Sequence, residues 1–165
     1  MERRRLLAAG VATGIAGGVA SSRGYAGGGN DETDRDIVGS WFGTTTATNP
    51  PLGSFNDLIS FHVGGVLMES RRYLIPATPF GDLLETTGHG VWKRTGKLNF
   101  EAFFRFLLQR SDTGAAIGTD NINLSLMMDR KTGALAGSFQ SQVKDTGNNV
   151  LLTVIGDYSA TPITL

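Results

Sequence analysis

From Ile37 to the C-terminus, apolar and polar residues alternate in short runs with a period of two, the pattern of strands that bury one face. Turn-forming residues interrupt these runs at regular spacing: Pro50-Pro51-Leu52-Gly53, Gly64-Gly65, Pro76 through Gly81, Thr95-Gly96, Asp112-Thr113-Gly114, Asp129 through Gly133, and Asp145 through Asn149. The pattern predicts eight strands near 38–47, 55–63, 66–74, 88–94, 97–109, 117–128, 134–144 and 150–160. No segment sustains a helical period. The best helical candidate, Phe100 through Leu108, alternates at least as well as a strand. The expected fold class is therefore all-β. Eight consecutive strands with short links predict an antiparallel up-and-down β-barrel, because closure removes the exposed edges of an open sheet.

The first 36 residues follow a different plan. Arg3-Arg4-Arg5 precedes a moderately apolar run from Leu6 to Val19, and small residues follow, the three-part plan of a secretory signal peptide. Residues 1–26 are read as that signal, with cleavage after Ala20 or Ala26. The Arg-Arg-x-Leu-Leu arrangement resembles a twin-arginine signal, while Glu2 leaves the ordinary secretory route open. A spanning helix needs about 20 apolar residues, more than this run supplies. Residues 27–36, Gly-rich and then polar, are read as a flexible tether. The barrel domain is expected over 37–165, outside the cytoplasm and free of the membrane once the signal is cleaved.

Composition changes this picture only by exclusion. The 165 residues suffice for one domain, and the 129 from Ile37 onward can bury a core without staples. There is no cysteine, so disulfides and thiolate chemistry are absent. Ten acidic and ten basic residues follow Ile37, a balance that gives no electrostatic footprint for nucleic acid or an anionic membrane surface. No nucleophile elbow, phosphate loop or dinucleotide fingerprint occurs, and two histidines 27 positions apart set no metal spacing. Neither a metal nor a cofactor is expected, and the oligomeric state is left open.

Gly39-Ser40-Trp41, at the head of the first predicted strand, resembles the Gly-x-Trp motif that opens lipocalin-like (calycin-type) barrels. The resemblance implies a barrel that binds a small hydrophobic molecule, with cofactor-free cyclases or isomerases as a minority activity.

Hairpin geometry assigns the inner face. If Gly64-Gly65 is a two-residue turn, Phe61 pairs with Met68, Ile59 with Ser70 and Asp57 with Arg72, which sets a carboxylate opposite a guanidinium inside the barrel. Such a pair is either structural or a polar grip on a ligand. With Thr95-Gly96 as a tight turn, His89 faces inward beside Val91, the best candidate for a general acid or base. His62 is expected to point outward. The remaining inner face is apolar, including Phe100, Phe104, Phe106, Ile122, Leu124, Leu126 and Phe139, with the Tyr158 hydroxyl among them. The ligand-binding candidates are thus Asp57, Phe61, Arg72, His89, Phe104 and Tyr158. The segment from Ile75 to Thr87 is read as a lid or a long crossover. The expected function is the binding of a small apolar molecule inside the barrel; the alternatives are a cofactor-free cyclase or isomerase acting on a polyketide-like or lipid-like substrate, and a filled barrel with no ligand.

Overall fold

The computed structural model describes residues 37–72, 74–78 and 80–164; the expected signal and tether lie outside them. Ten strands follow one another: β1 (Gly39–Asn49), β2 (Gly53–His62), β3 (Val66–Arg71), β4 (Leu74–Thr78), β5 (Gly81–Glu85), β6 (Gly88–Arg94), β7 (Asn99–Arg110), β8 (Ala116–Met128), β9 (Leu135–Asp145) and β10 (Val150–Pro162). All pairings are antiparallel, and among the described residues there is no helix.

Eight of the strands close a ring in the order β1-β2-β3-β6-β7-β8-β9-β10, with β10 returning to β1 and β7 paired to β8. The other two lengthen it. Strand β5 lies on β7 through Leu83↔Arg110 and Glu85↔Leu108, beyond the stretch of β7 that pairs with β6, and β4 pairs with β5. The segment 75–87, expected as a lid or a long crossover, accordingly contains paired strands. It is a hairpin that carries the third and fourth staves of the barrel past its end.

Alternation does the packing. Along β7, Phe100, Ala102, Phe104, Phe106 and Leu108 are buried, while Glu101, Phe103, Arg105, Leu107 and Gln109 are exposed. A fully buried phenylalanine contributes about 2–3 kcal/mol, and Phe61, Phe100 and Phe106 are all in that state. One end of the barrel is closed by Ile37, Trp41, Phe61, Leu67, Trp92, Phe100 and Leu135. There Trp92 packs edge-on against Phe61, with centroids 6.0 Å apart, and against Phe100 at 6.1 Å. The Trp41 indole N–H donates to the Ile37 carbonyl at 3.2 Å, so the Gly-Ser-Trp head of β1 anchors this apolar plug.

Two hairpin registers differ from expectation, each by an odd number of residues. The β2–β3 turn holds three residues, Val63, Gly64 and Gly65, with φ of 88° and 79° at the two glycines, and it is closed by the pair His62↔Val66. The partners become Phe61↔Leu67, Ile59↔Glu69 and Asp57↔Arg71. A one-residue slip turns every side chain of the strand over. Leu67, Glu69 and Arg71 therefore face inward, whereas Met68, Ser70 and Arg72 are exposed. The β6–β7 connection runs from Thr95 to Leu98, four residues instead of two, and the pairing shifts by three, with Arg94 opposite Phe100 and Trp92 opposite Ala102. The inner residues of β6 are then Gly88, Gly90 and Trp92, and His89 and Val91 are outside.

Candidate functional site

Beyond the apolar plug, the other half of the interior is polar. Among the described residues, Thr45, Asp57, Glu69, Glu85, Asp120 and Ser141 are buried and belong to inward-facing positions of β1, β2, β3, β5, β8 and β9. The one basic side chain among them is Arg71, at the end of β3, with its side chain 11% exposed.

Arg71 ties this end of the barrel together. Its Nε and Nη2 donate to Glu85 Oε2 and Oε1, both at 2.7 Å, and Nη2 also donates to Asp120 Oδ2 at 2.7 Å. The guanidinium lies 4.2 Å from the centroid of the Phe106 ring and 5.3 Å from that of Phe55. Asp120 Oδ1 accepts the Ser141 hydroxyl at 2.5 Å. Burial works against the charge on Arg71, but the Glu85 and Asp120 carboxylates outweigh it and hold the guanidinium more firmly protonated than usual. Burial also raises the pKa of Glu85, with Arg71 acting to lower it.

A second group is built around Asp57. Its Oδ1 accepts the Tyr158 hydroxyl and its Oδ2 accepts the Thr45 hydroxyl, each at 2.9 Å. The meeting needs Gly43, which stands between β2 and β10: a Cβ there would sit 2.1 Å from Asp57 Oδ1 and 2.3 Å from the Tyr158 oxygen. Desolvation raises the pKa of Asp57 despite the two hydroxyls and Arg71. Tyr158 is raised by burial and by the neighbouring Asp57 carboxylate, which keeps it a phenol.

Glu69 stands within electrostatic reach of both groups. Its Oε2 is buried and has no hydrogen-bond partner, an unusual condition for a native carboxyl group. Register explains the isolation, because the residues opposite Glu69 are Ile59 on β2 and Gly88 on β6, and neither offers a side-chain donor. Gly88 is itself required here, since a Cβ would lie 2.7 Å from the Phe106 ring. Desolvation pushes the Glu69 pKa up to about 8; Arg71 acts to lower it, and the Asp57, Glu85 and Asp120 carboxylates raise it further. At neutral pH the group is a carboxylic acid.

Glu69, Asp57, Tyr158, Thr45 and Arg71 share a cavity with Ile59, Phe104, Ile122, Leu124 and Phe139. The cavity, about 10 Å3, has room for about one water molecule. This small cavity joins acid groups from β2 and β3 to aliphatic and aromatic residues of β7, β8 and β9.

Of the residues singled out from sequence, Asp57, Phe104 and Tyr158 line this cavity. Phe61 faces inward but belongs to the apolar plug. Arg72 is exposed, and its expected position opposite Asp57 is taken by Arg71. His89 is also exposed, paired with Arg105 on the outer surface, so it does not meet the cavity; His62 points outward as expected. The sequence reading passed over Glu69, Arg71, Glu85 and Asp120. The signal for Asp120 was present, since it stands in phase with Ile122, Leu124 and Leu126.

In comparisons with protein-family models, curated proteins and solved structures, the chain matches none of them. Its closed, antiparallel eight-stranded barrel is compatible with a lipocalin-like fold and with ligand binding.

Proposed function

We propose that this barrel binds a small, mainly apolar molecule at its polar end, with the head group of that molecule meeting Glu69. The observation that carries this reading is the buried, unpartnered Glu69 Oε2 on the wall of a cavity whose other side is apolar. A few convergent polar groups on an apolar wall are the usual make-up of a small-molecule site. The cavity volume limits what enters to a head group of very few atoms. The body of the molecule stays toward the mouth, where Phe55, Val143 and Leu152 are half-buried and offer apolar contact. The Arg-rich, then apolar leader supports a place of action outside the cytoplasm, with a diffusible small molecule as partner.

Native mass spectrometry of the protein purified from its own host tests this reading. A bound small molecule, lost on Glu69→Leu substitution, is the expected result. An apo mass together with no response to an apolar fluorescent probe overturns it in favour of a filled barrel.

A second reading, a cofactor-free isomerase or cyclase, is favoured by one specific observation. Glu69 holds its proton to about pH 8, and Asp57 lies on the same wall, so a donor and an acceptor of protons share one cavity. Under this reading Glu69→Gln abolishes turnover while binding survives; equal turnover by the variant removes the reading.

A further inference from the structure

The charges inside the barrel are unequal. Among the described residues, four buried carboxyl groups, Asp57, Glu69, Glu85 and Asp120, face a single guanidinium. Arg71 is engaged with Glu85 and Asp120, each at 2.7 Å. Among the described residues, Asp57 is hydrogen-bonded by the neutral hydroxyls of Thr45 and Tyr158, and Glu69 Oε2 has no hydrogen-bond partner. The cavity wall therefore carries two carboxyl groups with no cation of their own, in a setting where an unpaired buried charge is costly.

We infer that the head group accepted by this cavity is a small ammonium, the protonated amine of an otherwise apolar molecule, held between Glu69 and Asp57. The inference rests on the reading of the cavity as a ligand site and adds the chemistry of what enters. An ammonium group carries three donors and no acceptor. It finds acceptors here in the Glu69 and Asp57 carboxylates and in the Tyr158 hydroxyl oxygen. Its size is close to that of a water molecule, which matches a cavity of about 10 Å3. Phe104 and Phe139 add apolar surface for the carbon next to the ammonium.

Other head groups fit less well. An anion would meet four acidic groups, with the one guanidinium already bonded to two of them. A carbonyl only accepts, so it would leave the excess of carboxyl groups on the cavity wall without a cation. A metal ion needs a shell of oxygen ligands, and among the described residues no group of three metal-binding side chains is placed to supply one.

Binding is coupled to a proton. In the empty site at pH 7, Glu69 is protonated, facing Asp57 of β2, Arg71 of β3, Glu85 of β5, Asp120 of β8 and Tyr158 of β10. When the ammonium enters, the amine keeps its proton and Glu69 releases its own to solvent, so one proton leaves for each cation bound. Below pH 8 the affinity consequently rises about tenfold for each pH unit.

Isothermal titration calorimetry of the purified chain with butylammonium chloride tests the inference, with 1-butanol as the neutral match, each in two buffers of different ionisation heat. The expected result is about one proton released per butylammonium at pH 7, affinity about tenfold higher at pH 7 than at pH 6, and 1-butanol at least tenfold weaker. If the two probes bind alike with no proton released, the ammonium assignment is overturned and the ligand site stands. If neither probe binds, the assignment falls together with the site. Glu69→Gln is expected to abolish proton release and the pH dependence while its thermal unfolding remains cooperative. Should that variant not fold, the proton count of the unsubstituted protein decides alone.

Discussion

The Tyr158 hydroxyl donates to Asp57 Oδ1 at 2.9 Å, which joins the last strand of the barrel to the second across a glycine of the first. Residues 101 positions apart are held together by one buried hydrogen bond, and Gly43 is the only residue type that lets them meet. Gly43→Ala is expected to destabilise the protein by about 2–4 kcal/mol, because the added methyl overlaps two polar atoms that have nowhere else to pair. Tyr158→Phe should cost less, about 1–3 kcal/mol, since Asp57 keeps the Thr45 hydroxyl. Urea unfolding of the two variants checks the order.

Arg71 and Arg72 are neighbours in sequence with opposite consequences. Arg71→Ala leaves Glu85 and Asp120 buried without their cation and is expected to cost about 3–5 kcal/mol. Arg72→Ala, at an exposed position, should change stability by no more than about 0.5 kcal/mol. Chemical unfolding of both variants reads the contrast directly; equal effects would mean the β2–β3 register is not the one described.

That register is also where sequence and structure part. The alternating runs were enough to locate all eight staves of the barrel, and β7 to β10 came out with the correct residues inside, because dense apolar positions such as Phe100, Phe104 and Phe106 fix the phase by themselves. Strands β3 and β6 carry too few large apolar residues to do this. Val66-Leu67-Met68 reads equally well in either phase, and the inner positions of β6 include two glycines. Their phase depends on turn length. Two glycines in a row suggest a two-residue turn, whereas Val63 joins them and shifts the β2–β3 pairing by one residue, and the longer β6–β7 connection shifts that pairing by three. Both differences are odd, so Glu69 and Arg71 were exchanged for Ser70 and Arg72, and His89 was assigned to the wrong face. Glu85 was hidden for another reason. Pro76 and Pro79 made the 75–87 segment look like a loop, while β5 pairs with the far end of β7.

The outward position of His89 gives a negative prediction. His89→Ala should leave stability within about 0.5 kcal/mol of the parent and leave ligand binding unchanged. A large loss of butylammonium binding, measured by calorimetry, would contradict the assignment of the site to the barrel interior.

Stability should also fall with rising pH. Glu69 has an ordinary carboxyl pKa of 4.5 when unfolded and about 8 when folded. Between these values the folded chain holds a proton that the unfolded chain has lost, so the contribution is fully present below 4.5 and disappears as pH rises through 8. The change is worth about 3–5 kcal/mol. The raised pKa of Asp57 and of Glu85 acts in the same direction. Glu69→Gln should flatten the dependence, a difference visible in urea midpoints measured between pH 5 and pH 9.

The most direct test of the central claim is a pH titration of the glutamate side-chain carboxyl carbons by NMR, with and without butylammonium chloride as the added molecule. The site described here predicts one glutamate, assigned by its loss in Glu69→Gln, that titrates near 8 in the free protein and shifts when the molecule is added. If every glutamate titrates in the ordinary range near 4.3 and none responds to the molecule, the buried unpartnered carboxyl and the ligand site built on it are both contradicted.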